Sequence, residues 1–167
     1  VSLTAFAACS STSDEAAAEA TEEVSESGID GTTRRAREQA EAAEARAAAA
    51  AERVMRAALE TTVFYFDFDI AEFRAADRDV LSFHAKDLAA NSSKSLRLEG
   101  HADERGTREY NLALGERRAS AVLNYLIVNG ASRSQIEIVS YGEEQPAQRG
   151  TGESAYQQNR RVKLIAR

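Results

Sequence analysis

Residues 62–166 alternate between two hydrophobic spacings, and this alternation restricts the chain to a small set of folds. Thr62–Phe68 is aromatic and β-branched, as in a buried strand, whereas apolar residues recur at helical spacing between Phe73 and Leu88. The predicted strands are 62–68, 95–99, 135–140 and 162–166, and the later predicted helices are 107–129 and 153–159. The order βαβαβ(α)β predicts an α/β two-layer sandwich with helices on one side of a mixed sheet.

Two segments of different composition precede this domain, which we place at residues 61–167. Residues 10–33 carry seven acidic and no basic side chains and few large apolar groups, so they predict a disordered tether. Residues 34–60 contain twelve alanines in 27 positions, with no glycine or proline, and predict a helical linker. Only Val54, Met55 and Leu59 are sizeable apolar residues there, which favours a single solvated helix over the alternative of a coiled coil.

The single cysteine of the chain, Cys9, excludes an intrachain disulfide and follows an apolar run at residues 1–8 that ends in small residues. This pattern is typical of the end of a secretory signal peptide, here without its start, followed by a cysteine that becomes acylated. We therefore expect lipid attachment at Cys9 and an acylated tether at 9–33, and the alternative is a free cysteine. The apolar run is too short to span a bilayer, so the lipid would provide the membrane anchor.

The charge distribution argues against a nucleic-acid partner. The formal net charge is −6, and the acidic excess lies in residues 10–33, whereas residues 61–167 carry fifteen acidic and fifteen basic side chains. A domain that binds nucleic acid usually presents a basic stripe. Equal numbers of acidic and basic side chains do not indicate such a surface.

A charged loop between the second predicted strand and the following helix contains the most specific motif. Residues 100–107 read Gly-His-Ala-Asp-Glu-Arg-Gly-Thr, and residues 115–119 read Gly-Glu-Arg-Arg-Ala. Downstream, residues 140–146 read Ser-Tyr-Gly-Glu-Glu-Gln-Pro and residues 158–162 read Gln-Asn-Arg-Arg-Val. Together these segments resemble the peptidoglycan-binding signature of the outer-membrane protein A-like domain family.

The resemblance implies a non-catalytic protein, without a cofactor, that binds peptidoglycan through the diaminopimelate of its stem peptide. For the lipid-anchored branch of the family it further implies a place on the periplasmic face of the outer membrane. It also implies partnership with periplasmic proteins of the Tol system and support of envelope constriction in cell division. The alternative is a general wall tether of the same family with no Tol partner. A wall-processing enzyme is disfavoured, because the sequence offers no credible nucleophile or flanking carboxylate pair.

Four residues are candidates for the peptidoglycan-binding site: Asp103, Asn111, Arg118 and Asp69. The free end of diaminopimelate carries an ammonium and a carboxylate on one carbon. A protein site for it needs a carboxylate that faces the ligand ammonium and a guanidinium that faces the ligand carboxylate. Asp103 in the loop and Arg118 in the next helix provide these groups, and arginine can hold a carboxylate at two points. The resemblance assigns Asn111, and Asp69 after the first strand, to the same ligand.

Each of these candidates also has a purely structural interpretation. Asp103 and Arg118 could form an internal salt bridge that braces the loop, and Asn111 could hydrogen-bond the loop backbone. His101, Asp103 and Glu104 lie within four positions of one loop and rarely close a tetrahedral shell in that arrangement, so we expect no metal site.

Several other residues are expected to have structural roles. His84 lies on an apolar helical face and is predicted to be a core residue. Thr107 is predicted to be the N-cap of the helix that follows it, and Gly100 is predicted to be a turn position. Arg160 and Arg161, at the start of the last strand, are predicted to brace a loop.

Overall fold

The computed structural model describes residues 26–167, and side-chain surroundings from residue 31 onward. The predicted end of a signal peptide at 1–8, the lipid attachment at Cys9 and most of the predicted tether therefore lie outside the described residues. Within the described part of the chain, no helix is both long enough and apolar enough to cross a membrane. The same residues contain no group of three or more His, Cys, Asp or Glu side chains suited to holding a metal ion.

The described residues form four α-helices and one four-stranded sheet. In chain order the elements are α1 (Glu26–Leu59), β1 (Val63–Tyr65), α2 (Arg78–Ala90), β2 (Leu96–His101), α3 (Arg108–Val128), β3 (Ile136–Gly142), α4 (Glu153–Asn159) and β4 (Arg161–Ala166). The strand order is β1-β4-β2-β3; β2 and β3 are parallel, and the other neighbouring pairs are antiparallel. The predicted α/β sandwich on a mixed sheet is therefore confirmed.

α1 begins at Glu26, before the predicted start of the helix at residue 34. Once a helix has nucleated in an alanine-rich segment, each further residue adds one hydrogen bond, so the helix extends into sequence of weaker propensity. Residues 26–33, predicted as the end of the tether, thus lie within the bounds of α1. Between residues 31 and 59, α1 is mostly exposed, and its ion pairs include the i,i+4 contact from Arg56 Nη2 to Glu52 Oε1 at 2.7 Å.

β1 is shorter than the predicted strand, because its ladder with β4 ends at Tyr65. The next amide, that of Phe66, donates to the carbonyl oxygen of Arg160 at 2.8 Å. Beyond this point arginine side chains take the place of a strand partner. The Phe66 carbonyl accepts from Arg160 Nε at 3.1 Å, and the Asp67 carbonyl accepts from Arg118 Nη2 at 3.0 Å. The segment after β1 is therefore held at the end of the sheet by side chains.

The core lies between the sheet and the helices α2 and α3. Its buried apolar residues include Phe64, Phe66, Leu81, Leu88, Leu98, Val122, Leu126 and Val162. A short 3₁₀ turn at Ala75–Asp77 precedes α2, so the helical spacing predicted from Phe73 does not continue in phase through it. The buried face of α2 keeps the predicted His84 and Leu88 and adds Leu81 and Ala85. His84 is confirmed as a core residue, with Nε2 2.9 Å from the carbonyl oxygen of Thr61.

Two glycines bring α3 directly against β2. A Cβ atom at Gly100 would lie 1.9 Å from the carbonyl oxygen of Gly115, and one at Gly115 would lie 2.4 Å from Ser140 Oγ. β2 continues through Gly100 to His101, so close packing, rather than the predicted turn, requires glycine there. This contact places the N-terminal half of α3 beside the loop that follows β2.

Candidate binding site

A pocket of about 240 Å³ opens at the end of the sheet where β2 ends and β4 begins. All four predicted site residues line it: Asp69, Asp103, Asn111 and Arg118. The other lining residues are Phe68, Arg105, Gly106, Tyr110, Leu114 and Arg160. The segments after β1 and β2 and the first half of α3 thus bring the four candidates together, and their contact with a ligand stays a prediction.

Asp103 is a buried carboxylate held between two guanidinium groups. Its residue is 4% exposed, and Oδ2 lies 2.6 Å from Arg105 Nη2 and 3.1 Å from Arg160 Nη1. Burial alone raises the pKa of the Asp103 carboxyl, but the hydrogen bonds from Arg105 and Arg160 outweigh it and hold the pKa below its usual value. Asp103 therefore carries a negative charge at neutral pH.

Arg118 is fully buried and bonded to the backbone of three segments. Nε donates to the carbonyl oxygen of Ile70 at 2.9 Å, Nη1 to that of His101 at 2.8 Å and Nη2 to that of Asp67 at 3.0 Å. Burial lowers the pKa of Arg118 to about 10, so its charge persists at neutral pH. The salt bridge considered between Asp103 and Arg118 does not form, because backbone carbonyls take up the guanidinium while Asp103 pairs with Arg105 and Arg160.

The N-terminus of α3 borders the pocket and is closed by a side-chain cap. Thr107 accepts a hydrogen bond from the Tyr110 amide at 3.2 Å, which confirms the predicted N-cap. Gly106 has φ of +114°, a conformation that favours glycine and turns the loop into the helix. Asn111 is buried and its Nδ2 donates to Glu143 Oε2. The positive end of the helix dipole therefore faces the pocket.

Asp69 lies at the mouth of the pocket in a left-handed backbone conformation. Its φ is +58°, which aspartate tolerates better than most residues, and its Oδ1 accepts a hydrogen bond from the hydroxyl of Tyr110. An exposed apolar rim surrounds this carboxylate and consists of Phe68, Ile70 and Tyr110. Large apolar side chains on a surface usually occur singly, so three neighbouring exposed ones are unusual.

The sequence did not predict the part that Arg105 and Arg160 take in the pocket. Arg160, predicted to brace a loop, is 3% exposed and also donates to Glu153 Oε1 at 2.6 Å. Arg161 does brace a loop, with Nη2 3.2 Å from the carbonyl oxygen of Gln145. The basic residue directly after two acidic ones at 103–105 was a usable signal for Arg105. Arg160 belongs to the motif at 158–162, but its proximity to Asp103 could not be predicted because it depends on β4 lying between β1 and β2.

Comparison with known proteins identifies relatives of the domain. The OmpA family model matches residues 65–160. The peptidoglycan-associated lipoprotein of Pseudomonas putida is 53% identical over 103 residues, which cover 62% of this chain and 61% of that protein. The protein of the same name from Pasteurella multocida is 47% identical over 100 residues, covering 60% of this chain and 67% of that protein. The match thus spans about three fifths to two thirds of the length of these curated relatives, and the resemblance inferred from the motifs is confirmed.

Solved structures give the same result for the fold. The crystal structure of the peptidoglycan-associated lipoprotein from Burkholderia pseudomallei aligns with a TM-score of 0.65 at 39% identity, covering 66% of this chain and 93% of that one. The C-terminal domain of Helicobacter pylori MotB aligns with a TM-score of 0.58 at 20% identity, covering 63% and 83%, and supports the fold alone. With a family match over more than half of its residues, this chain belongs to the OmpA family.

Proposed function

We propose that this domain binds peptidoglycan non-covalently and that the protein links the outer membrane to the cell wall. The relatives in Pseudomonas and Pasteurella are named peptidoglycan-associated lipoproteins. Their names support peptidoglycan as the ligand and a lipoprotein of the cell envelope as the kind of protein. The finer proposal is that the pocket holds the zwitterionic end of diaminopimelate in the stem peptide.

The observation that carries the proposal is the buried carboxylate of Asp103 beside the guanidinium of Arg118 in one pocket. A guanidinium has five N–H donors, and three bonds to carbonyl oxygens leave two for a ligand carboxylate. Asp103 would accept from the ligand ammonium. Asn111 and the N-terminus of α3 would face a further oxygen of the stem peptide.

The test is Asp103→Asn, which removes the charge of the pocket carboxylate at nearly constant volume. A charge-assisted hydrogen bond contributes about 1.5–3 kcal/mol, so binding to isolated sacculi should fall about ten-fold or more in a co-sedimentation assay. The matched control is Glu116→Gln, which makes the same change at an exposed position of α3 outside the pocket. Unchanged binding by a folded Asp103→Asn protein would place the wall-binding site elsewhere.

We further propose that lipid at Cys9 anchors the protein to the periplasmic face of the outer membrane. An acylated N-terminal cysteine of this type would carry two acyl chains in a thioether-linked diacylglycerol and a third on its amino group. Stable membrane anchoring needs two anchoring groups, such as two lipid chains, so three are sufficient. Cys9→Ser should yield uncleaved precursor or soluble periplasmic protein, and the domain should still bind sacculi in vitro. Mass spectrometry that finds an unmodified N-terminus upstream of Cys9 would contradict the anchor and leave wall binding intact.

The third part of the proposal is partnership with periplasmic Tol proteins and a role in envelope constriction. It is supported by the loop motifs that this chain shares with the lipid-anchored branch of its family. Photo-crosslinking in cells from a residue of the apolar rim, such as Tyr110, should capture a Tol protein, with exposed Val128 as the control position. A crosslink to peptidoglycan alone would favour the alternative of a general wall tether.

A further inference from the structure

The side chain of Arg105 occupies the cation position of the pocket. Its Nη2 lies 2.6 Å and its Nε 3.3 Å from the two carboxylate oxygens of Asp103. The guanidinium carbon lies 4.0 Å from the ring centroid of Phe68 and 4.5 Å from that of Tyr156. One carboxylate and two aromatic faces form a cage of the kind that binds cations, and the protein fills this cage with a cation of its own.

Of the two arginines on Asp103, Arg105 is the one that can leave. Arg160 is buried and also binds the carbonyl oxygen of Phe66 and the carboxylate of Glu153. The Arg105 side chain is 35% exposed, and its second ion-pair contact, to Glu153, is long at 3.5 Å. When Arg105 moves into solvent, Asp103 keeps its bond to Arg160, so no buried charge loses its last partner.

We propose that Arg105 is an internal competitor for the pocket, and that a ligand ammonium binds by displacing its guanidinium from the cage. This inference rests on the proposed function, since it concerns the access of the diaminopimelate zwitterion to Asp103. The apparent affinity of such a site is the intrinsic affinity multiplied by the fraction of molecules in which Arg105 has left. Arg105 therefore sets the strength of wall binding without contacting the bound ligand.

The prediction is that removing Arg105 strengthens ligand binding. Minor states of two-state equilibria are typically about 0.1–10% populated, so Arg105→Ala in the full chain should bind a diaminopimelate stem peptide at least about ten-fold more tightly in calorimetry. Arg105→Lys, which keeps the charge but loses the planar two-point contact, should lie between wild type and Arg105→Ala.

The matched control is Arg56→Ala. Arg56 lies in α1, pairs with the exposed Glu52 and does not line the pocket. Arg56→Ala removes the same charge away from the pocket, so this variant should bind the peptide with the affinity of wild type. Equal or weaker binding by Arg105→Ala than by Arg56→Ala would overturn the proposal, because weaker binding means that Arg105 contacts the ligand itself.

A small probe separates this proposal from the proposed function. Methylguanidinium, titrated into Arg105→Ala, should shift the ring proton resonances of Phe68 and Tyr156, and it should leave those of wild type and of Arg56→Ala unchanged. If the probe binds Arg105→Ala but no variant binds stem peptide, the cation cage stands and the wall-binding function fails. If the probe does not bind Arg105→Ala, the cage does not accept an external cation and the internal competitor is overturned.

Discussion

The sheet has a cavity at each end, and the two differ in charge far more than in size. The binding pocket, at the end of β2, has a volume of about 240 Å³, and the second cavity, at the start of β2, has about 270 Å³. The second cavity is lined by apolar residues that include Leu59, Leu88, Leu96 and Leu164. Two of its lining cations form ion pairs, Lys94 with Asp87 and Arg167 with Glu137, and both cation side chains are 52% exposed at the rim.

The difference favours the charged end of the sheet as the candidate site, because perturbed and buried charges cluster at functional sites. Transferring a guanidinium or a carboxylate out of water is costly, so each buried charge needs close partners. The binding pocket retains Asp103, Arg118 and Arg160, each almost fully buried. The second cavity has no comparable group apart from His84 among its described lining residues.

The largest expected effect comes from replacing one cation at each end of the sheet by methionine. Arg118→Met removes the donor from three backbone carbonyls, and it should lower the free energy of unfolding by at least about 3 kcal/mol. Lys94→Met, at the second cavity, should change it by less than about 1 kcal/mol, because exposed ion pairs contribute little. Denaturant unfolding of both variants measures the difference. Equal losses of unfolding free energy would mean that the buried cation at the binding pocket contributes no more to stability than the exposed one at the second cavity.

The next effect concerns the histidine buried at each end. His101, at the binding-pocket end of β2, stacks on Tyr141, and within the described residues neither of its ring nitrogens has a hydrogen-bond partner. Burial, with smaller contributions from the nearby cations Arg161 and Lys163, lowers the pKa of His101 to about 4. Burial also lowers the pKa of His84, although its bond to the Thr61 carbonyl opposes the shift.

These shifts predict acid destabilisation. Unfolded His101 has a pKa of about 6.5 and folded His101 one of about 4, so between these values the unfolded chain binds more protons than the folded one. The free energy of unfolding therefore keeps this contribution in full above pH 6.5. It loses the contribution, at most about 3 kcal/mol, as the pH falls towards 4. His101→Phe should remove most of this pH dependence, and His84→Phe a smaller part. A pH profile that is the same for His101→Phe and wild type would contradict the assignment.

A smaller effect is expected from the chemistry of the ligand. Stem peptides with lysine in place of diaminopimelate lack one carboxylate and leave N–H donors of the binding pocket without an acceptor. Diaminopimelate peptides should therefore bind about ten-fold more tightly, which corresponds to about 1.4 kcal/mol. Calorimetry with the two peptides measures the ratio, and equal affinities would exclude recognition of that carboxylate by the pocket.

The smallest effect is expected from the rim of the second cavity. A double-mutant cycle of Lys94→Met and Asp87→Asn should give a coupling energy of about 0.2–1 kcal/mol, reduced further by salt. Neither substitution should alter sacculus binding. A loss of binding from either one would give the second cavity a role in recognition and weaken the contrast between the two ends.

The sequence predicted the elements of the domain well, because local spacing carries that information. The strand at 162–166 and the helix at 153–159 agree closely with β4 and α4. The four candidate site residues, which line one pocket, could be named because they belong to motifs of the family or follow its first strand, and their contact with a ligand stays a prediction. The partners of those residues could not be predicted, since the bonds from Arg118 to Asp67 and Ile70 and from Arg160 to Asp103 join segments about 50 positions apart. Such contacts depend on the strand order, which composition and periodicity do not determine.

The segment that follows β1 gives the domain a defined path for mechanical tension. β1 joins the end of α1 on one side and residues 67–70, at the binding pocket, on the other. In the proposed tether between membrane and wall, tension on α1 would reach the domain through β1. Three residue pairs hold β1 to β4. Arg118 and Arg160 donate to the carbonyls of residues 66, 67 and 70, so they would pass part of the load to α3 and to the start of β4 and hold the lining segments in place.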